Sequence, residues 1–100
     1  MPNINISIPH QLPPEQALTR IKDFIAQAKT QYSNEIGNLQ ENWNGHVGTF
    51  SGSARGLSVS GILTVEASVV AVELTIPFAA MLFKGTIESG IRDQLTKLLS

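Results

Sequence analysis

The stretch from Leu57 to Ile76, LSVSGILTVEASVVAVELTI, alternates apolar and polar residues and breaks once, at Ala67-Ser68. Alternation with a period of two residues is typical of a strand with one buried face, and two such runs joined by a two-residue break predict a β-hairpin. A slip of one residue would turn a whole apolar row into water, so the pattern constrains the register strongly. The hairpin is expected to place on one buried face the pairs Val65 and Val70, Leu63 and Val72, Gly61 and Leu74, and Val59 and Ile76.

Two upstream turns extend this hairpin into a larger sheet. Asn44-Gly45 is a strong hairpin signal, because a type I′ turn needs positive φ at both central positions, and Arg55-Gly56 is a second two-residue turn. All three turns agree on one apolar face, and the opposite face is small and polar except for Val47 and Ile62. The upstream turns predict that Trp43 lies opposite His46, Glu41 opposite Gly48, Leu39 opposite Phe50, Ala54 opposite Leu57, Gly52 opposite Val59, Phe50 opposite Gly61 and Gly48 opposite Leu63.

Residues outside this meander predict one more strand and two helices. Asn3 to Ile8 alternates and stops at Pro9, which cannot continue a ladder of hydrogen bonds. Pro13 and Pro14 suit the start of a helix, which should run for about five turns and end near Asn34 and Gly37. The apolar stripe of this helix is Leu18, Ile21, Ile25, Ala28 and Tyr32, and that of a second helix after Pro77 is Ile87, Ile91, Leu95 and Leu98.

The predicted architecture is a single α+β domain over residues 1–100, with the element order β-α-β-β-β-β-α. We expect a curved antiparallel sheet of five strands with both helices packed on its apolar face. Up-and-down connections make the first strand antiparallel to the fifth, which favours the strand order 2-3-4-5-1. The alternative order places the first strand beside the second.

Composition excludes several classes of function. With 42% hydrophobic and 15% charged residues, the chain is too apolar for a disordered segment. Its net charge is −1 and it has no Lys/Arg cluster, so nucleic acid is not an expected partner. The lack of cysteine excludes disulfides and thiolate metal sites and is compatible with a reducing cytoplasm. No apolar run approaches the roughly 20 residues of a membrane span, and no secretion signal is visible at residues 1–12.

The sequence carries no recognisable catalytic constellation. His10 and His46 are the only histidines and lack close-spaced companions, so we expect loop or surface histidines, no metal site and no cofactor. Glu41 lies diagonal to His46 in the predicted register, where the two side chains would form either an acid/base pair or, as we expect, an ion pair at the rim of the sheet. No serine stands in a G-x-S-x-G turn. We therefore predict no catalytic residues and no enzymatic activity.

Two features are candidates for binding a ligand or a partner. Trp43, the only tryptophan, is expected to cap one end of the core, and the alternative is an aromatic platform for a ligand. The segment Phe78–Phe83, FAAMLF, has more apolar area than a connection needs. We expect Phe78, Met81, Leu82 and Phe83 to plug the end of the core. The alternative is an exposed patch that docks a polymer surface, a lipid or a second copy of the chain.

Five short segments, taken in order and spacing, resemble the polyhydroxyalkanoic acid system family across nearly the whole chain. They are Ile8-Pro9-His10, Trp43-Asn44-Gly45, Gly56-Leu57-Ser58-Val59-Ser60-Gly61, Pro77-Phe78-Ala79-Ala80-Met81 and Phe83-Lys84-Gly85-Thr86-Ile87-Glu88. These are small bacterial proteins whose genes lie beside those for storage polyester granules. The resemblance implies a cytoplasmic protein associated with such granules. It implies no activity and no site residues.

Three functional hypotheses follow. The first is a non-enzymatic accessory protein that binds the granule, or granule-associated proteins, through Phe78–Phe83 or another apolar surface. The alternative is a small carrier that holds an acyl or hydroxyacyl ligand between sheet and helices, where Gly48, Gly52 and Gly61 would leave room. The third, an enzyme using Glu41 and His46, is the least favoured.

Overall fold

Strands and helices follow one another in the predicted order β-α-β-β-β-β-α in the computed structural model, which describes residues 3–31, 36–54 and 56–100. A 3₁₀ helix, which the sequence analysis treated as a connection, precedes the second α-helix directly. The elements are β1 (Asn3–Pro9), α1 (Pro14–Gln31), β2 (Ile36–Asn44), β3 (Val47–Ala54), β4 (Leu57–Val65), β5 (Val69–Thr75), the 3₁₀ helix (Phe78–Phe83) and α2 (Lys84–Leu98).

The strands form one antiparallel sheet in the order β1-β5-β4-β3-β2. This confirms the favoured order, and the alternative with β1 beside β2 is wrong. The alternating isoleucines of β1 explain why this strand pairs with β5, because Ile6 lies opposite Val72 and Ile8 opposite Val70. Ile4, Ile6 and Ile8 are at most 3% exposed. The edge strand β1 is thus held to β5 by side chains of both strands on the buried face.

Two of the three predicted hairpins have the predicted register. Along β3 and β4, Gly52 lies opposite Val59 and Phe50 opposite Gly61. Arg55, in the turn between them, lies outside the described residues. Along β4 and β5, Leu63 lies opposite Val72, and the bond from Glu66 N to Val69 O closes the two-residue turn. Val59 and Ile76 lie beyond the end of that ladder, which stops at Ser60 and Thr75.

The predicted register of the β2–β3 hairpin is wrong, because the turn lies one residue further along the chain than predicted. The central residues of the turn are Gly45-His46 rather than Asn44-Gly45, so Trp43 pairs with Gly48 and Glu41 with Phe50. Since Phe50 pairs with Glu41, the predicted pairing of Leu39 with Phe50 is also wrong, and the register shifts further along, between Gly37 and Gln40. A glycine at the first central position, here with φ +62°, meets the backbone need of a primed turn. The observed pairing also places the indole over a residue without a side chain.

Both helices pack on the apolar face of the sheet, as predicted. α1 buries Ala17, Leu18 and Ile21, and α2 buries Leu95. Four further stripe residues pack against the same core, namely Ile25, Ile87, Ile91 and Leu98. Ala28 of the first stripe is half-buried. Tyr32, predicted in the apolar stripe of the first helix, lies outside the described residues. Of the two residues predicted near the end of that helix, Asn34 also lies outside them, and Gly37 belongs to β2.

Arg20 ties the two helices together at one end. Its Nη1 donates to the carbonyl oxygens of Leu98 and Ser100, both at 3.0 Å. These carbonyls belong to the last turn of α2 and the residues after it, where no intrahelical donor remains, so the guanidinium caps α2 from α1.

Neither α-helix is long and apolar enough to cross a lipid bilayer, among the residues that the structure describes.

Candidate functional site

A cleft of about 740 Å³ separates α1 from α2 above the centre of the sheet. Ile21, Leu63, Val72 and Leu95, each at most 8% exposed, belong to its apolar lining. The cleft walls come from the two helices, and their remaining apolar lining residues are Phe24, Ile25, Ala28, Ile87 and Ile91. A volume in this range is typical of small-molecule sites.

The cleft stays open because small residues stand where larger side chains would fill it. Ala28 lines it from α1 and Gly90 from α2, and a Cβ added at Gly90 would meet no atom within 4 Å. Gly90 was not among the candidate residues of the sequence analysis, and its place at the cleft follows only from the packing of α1 and α2 on the sheet. Conversely, Gly48 and Gly61, expected to leave room for a ligand, are covered by Trp43 and Leu74 respectively. Gly52 is not among the described lining residues.

The polar part of the lining is uncharged. Gln27, Gln31, Thr86 and Gln94 are the polar side chains that line the cleft, and each is exposed. No Asp, Glu, Lys, Arg or His occurs among its described lining residues. The site therefore offers amide and hydroxyl hydrogen bonds around an apolar floor.

Trp43 is half-buried on the same face of the sheet and packs against the core, but it does not line the cleft. Its ring covers Gly48, where an added Cβ would come within 2.9 Å of three ring atoms. The ring meets Phe50 edge to face at 5.7 Å between centroids, and Lys22 Nζ lies 5.2 Å from its centroid. This packing favours a structural role for Trp43.

Two hydrogen-bond donors hold the carboxylate of Glu41 beside Trp43. Its side chain is 16% exposed, and Lys29 Nζ lies 2.6 Å from its Oε1. Trp43 Nε1 donates to its Oε2 at 2.6 Å. Burial acts to raise the pKa of Glu41, but the hydrogen bonds from Lys29 and Trp43 and the charges of Lys29 and Lys22 outweigh it. The pKa of Glu41 therefore lies below its ordinary value of 4.5.

Replacing Glu41 with glutamine is expected to lower the free energy of unfolding by about 1 kcal/mol at neutral pH, because Lys29 loses its partner. A lowered folded-state pKa means that the stabilisation by Glu41 is complete above pH 4.5 and is lost as the pH falls through the folded value. The difference between the two proteins should therefore shrink below pH 4.5. Denaturant unfolding at several pH values measures it, and a difference that is the same at every pH would contradict this account.

The two histidines have separate partners. His46 Nε2 lies 2.6 Å from Glu15 Oε1, so the structure does not pair His46 with Glu41. His10 lies in the loop between β1 and α1, as one of the two expected alternatives, but it is only 7% exposed. Its Nδ1 accepts from Leu12 N at 3.2 Å, which leaves Nε2 to donate to Glu66 O at 3.0 Å. His10 thus joins the end of β1 to the β4–β5 turn. Within the described part of the chain, no group of three or more His, Asp or Glu residues is placed to hold a metal ion.

The 3₁₀ helix carries an exposed apolar patch, which we define as Phe78, Met81, Leu82 and Phe83. Their exposed fractions are 74%, 44%, 91% and 58% respectively. The expectation that these side chains plug the core is therefore wrong. Ala80, at 5% exposed, is the buried residue of this helix. Because a short 3₁₀ helix can turn only one side inward, burying the small Ala80 leaves its larger neighbours outside.

Comparisons with known proteins identify a family. None of the curated proteins matches this chain. The crystal structure of Ara h 8.0201 aligns with a TM-score of 0.49 at 12% sequence identity, covering 98% of this chain and 97% of that chain, and a likeness at this level supports no functional argument. The sequence model of the polyhydroxyalkanoic acid system proteins matches residues 4–99. The chain therefore belongs to the polyhydroxyalkanoic acid system family.

Proposed function

We propose that this protein is a non-enzymatic accessory protein of the polyhydroxyalkanoate system, which adsorbs in the cytoplasm to the surface of polyester granules through the exposed apolar patch. The observation that carries the proposal is the exposure of four large apolar side chains on one short helix. Contiguous exposed apolar surface on a soluble domain commonly marks an interaction site.

The chemistry of the patch fits a polyester better than a charged surface. Residues 77–83 include no Asp, Glu, Lys or Arg, so the segment offers apolar contact without a charge to desolvate. Fully burying one leucine or phenylalanine side chain stabilises an association by about 1.5–3 kcal/mol. Leu82 and Phe78 are the most exposed of the four, so they have the most surface to bury on binding.

Replacing Leu82 with aspartate is expected to weaken adsorption to amorphous polyhydroxyalkanoate particles about ten-fold, because a charge replaces a side chain that contacts the polymer. Leu82 is 91% exposed, so the variant should fold normally. Co-sedimentation with particles free of other proteins measures direct adsorption, and Phe83→Asp should behave in the same way. Native granules, used in parallel, report binding to granule-associated proteins.

Val47→Asp is the matched control, because it places the same charge at another exposed apolar residue, on β3. This control should adsorb like the unmodified protein. The proposal fails if the unmodified protein does not co-sediment, or if the control loses binding to the same extent. It also fails if the patch variants lose binding only because they dissolve a dimer, which size-exclusion chromatography would reveal.

A second candidate function, a small carrier for an acyl or hydroxyacyl ligand, is favoured by the cleft of about 740 Å³ between α1 and α2. Native mass spectrometry of protein purified from its own host tests it directly. We expect a retained molecule of acyl type in a fraction of the protein. A spectrum of the bare chain alone, from gently purified material, would count against the carrier.

A further inference from the structure

The cleft combines an apolar floor with a rim of side-chain amides. Gln27 and Gln31 on α1 and Gln94 on α2 line it, so three of the six glutamines of the chain lie at this one site. Each amide offers two N–H donors and one carbonyl acceptor. Such a rim can bind ester carbonyls and hydroxyl groups without neutralising any charge.

Among the described residues, four cations adjoin lining residues along the helices, and all four are engaged elsewhere. Arg20 and Lys22 flank Ile21 and contact the end of α2 and the ring of Trp43 respectively. Lys29, which follows Ala28, contacts Glu41 of β2 at 2.6 Å, and Arg92, which follows Ile91, contacts Glu88 at 3.5 Å. None of the four lines the cleft. A carboxylate placed in the cleft would therefore lose hydration without gaining an ion pair from the described lining residues, which is costly.

We infer that the cleft binds a neutral acyl ligand, a hydroxyacyl ester without a free carboxylate, and discriminates against the corresponding free acid. This inference rests on the carrier candidate above and specifies its ligand class. An apolar chain would lie against Leu63 and Val72, with its ester and hydroxyl groups at the amide rim.

The position of the cleft beside the exposed patch supports a ligand of this kind. Phe83 precedes the lining residues Thr86 and Ile87 by three and four residues, which is one turn of α2. Phe83, which ends the 3₁₀ helix and is the N-cap of α2, therefore places one end of the patch next to the first turn of α2, where the cleft lining begins. A neutral ester that leaves an apolar surface bound by the patch would have a short path to the cleft.

Calorimetric titration of the full chain with methyl 3-hydroxyoctanoate and with 3-hydroxyoctanoate at neutral pH tests the inference. The two probes share a hydroxyacyl chain, and only the acid is ionised at this pH. We expect the ester to bind at least about ten-fold more tightly, the factor that corresponds to about 1.4 kcal/mol. Equal or tighter binding of the acid would overturn the inference and leave the carrier standing, whereas binding of neither probe would overturn both.

A pair of charge variants tests the stated cause of the preference. Gln94→Lys adds a cation at the rim and should raise the affinity for 3-hydroxyoctanoate several-fold, while Gln16→Lys, outside the cleft on α1, should not. If Gln94→Lys leaves the affinity for the acid unchanged, the uncharged rim is not the cause of the selectivity and the inference is wrong.

A pair of glycine variants tests the location. Gly90→Leu should fill the cleft and lower the affinity for the ester at least about ten-fold, without steric conflict at Cβ and with a gain in helix propensity. Gly85→Leu adds the same side chain to α2 at a residue that does not line the cleft, also into open space, and should leave the affinity unchanged. Undiminished binding by a folded Gly90→Leu protein would place the ligand elsewhere and overturn the inference.

Discussion

Replacement of Ile21 by alanine is expected to lower the free energy of unfolding by about 3–4 kcal/mol, the largest single effect that we predict. Ile21 lies on α1, is 1% exposed and is among the largest fully buried side chains. Truncation removes its apolar contacts and leaves a cavity that the sheet below cannot close, because β-strands paired on both sides have little freedom to move.

Urea unfolding measures this loss as a lower midpoint with an unchanged slope. Asp23→Ala is the control on the same helix, since Asp23 is exposed, and it should change the stability by no more than about 0.5 kcal/mol. A loss below about 1 kcal/mol for Ile21→Ala would mean that α1 does not pack on the sheet as described.

Replacement of Gly48 by valine is expected to destabilise the protein by about 2 kcal/mol and to move the indole of Trp43. A Cβ at Gly48 would lie 2.9 Å from three indole atoms, so the ring must leave its position. It would then lose its edge contact with Phe50 and its hydrogen bond to Glu41. Overpacking and lost contacts together cost about 3 kcal/mol, and the preference of valine for strands offsets up to about 1 kcal/mol of that.

Tryptophan fluorescence provides a second readout for this variant, because Trp43 is the only tryptophan. Its emission should shift to longer wavelength as the ring becomes more exposed to water. Thr49→Val, at the next position of β3 on the exposed side of the sheet, is the matched control and should leave the emission unchanged. An unshifted spectrum for Gly48→Val would show that Trp43 does not lie over Gly48.

The sequence predicted the register of β3, β4 and β5 because alternation fixed the buried face of each strand and a correctly placed two-residue turn fixed the pairing within that face. Val72 opposite Leu63 and Phe50 opposite Gly61 follow from these two constraints. For the β2–β3 hairpin, the turn was predicted one residue too early. Moving the turn from Asn44-Gly45 to Gly45-His46 keeps Trp43 on the same face, so alternation could not distinguish the two registers.

The two candidate sites were harder to predict, because both depend on how separate elements meet. FAAMLF was recognised as unusually apolar, but its exposure depends on which side of the 3₁₀ helix contacts the core. The cleft depends on the distance between α1 and α2, to which no short segment of sequence contributes alone. Gly90 and Ala28 were visible as small residues in helices, yet their shared position became apparent only in the folded chain.

Periodicity and turn chemistry were therefore sufficient for the element order, the strand order and the identity of the buried face. These are short-range consequences of hiding alternate side chains from water. Packing between α1, α2 and the 3₁₀ helix decided which apolar residues remain exposed and where the cleft lies, as well as which partners hold Glu41 and His46. Contacts of that kind join residues far apart in the chain and depend on the shape of side chains in three dimensions, which a one-dimensional pattern does not contain.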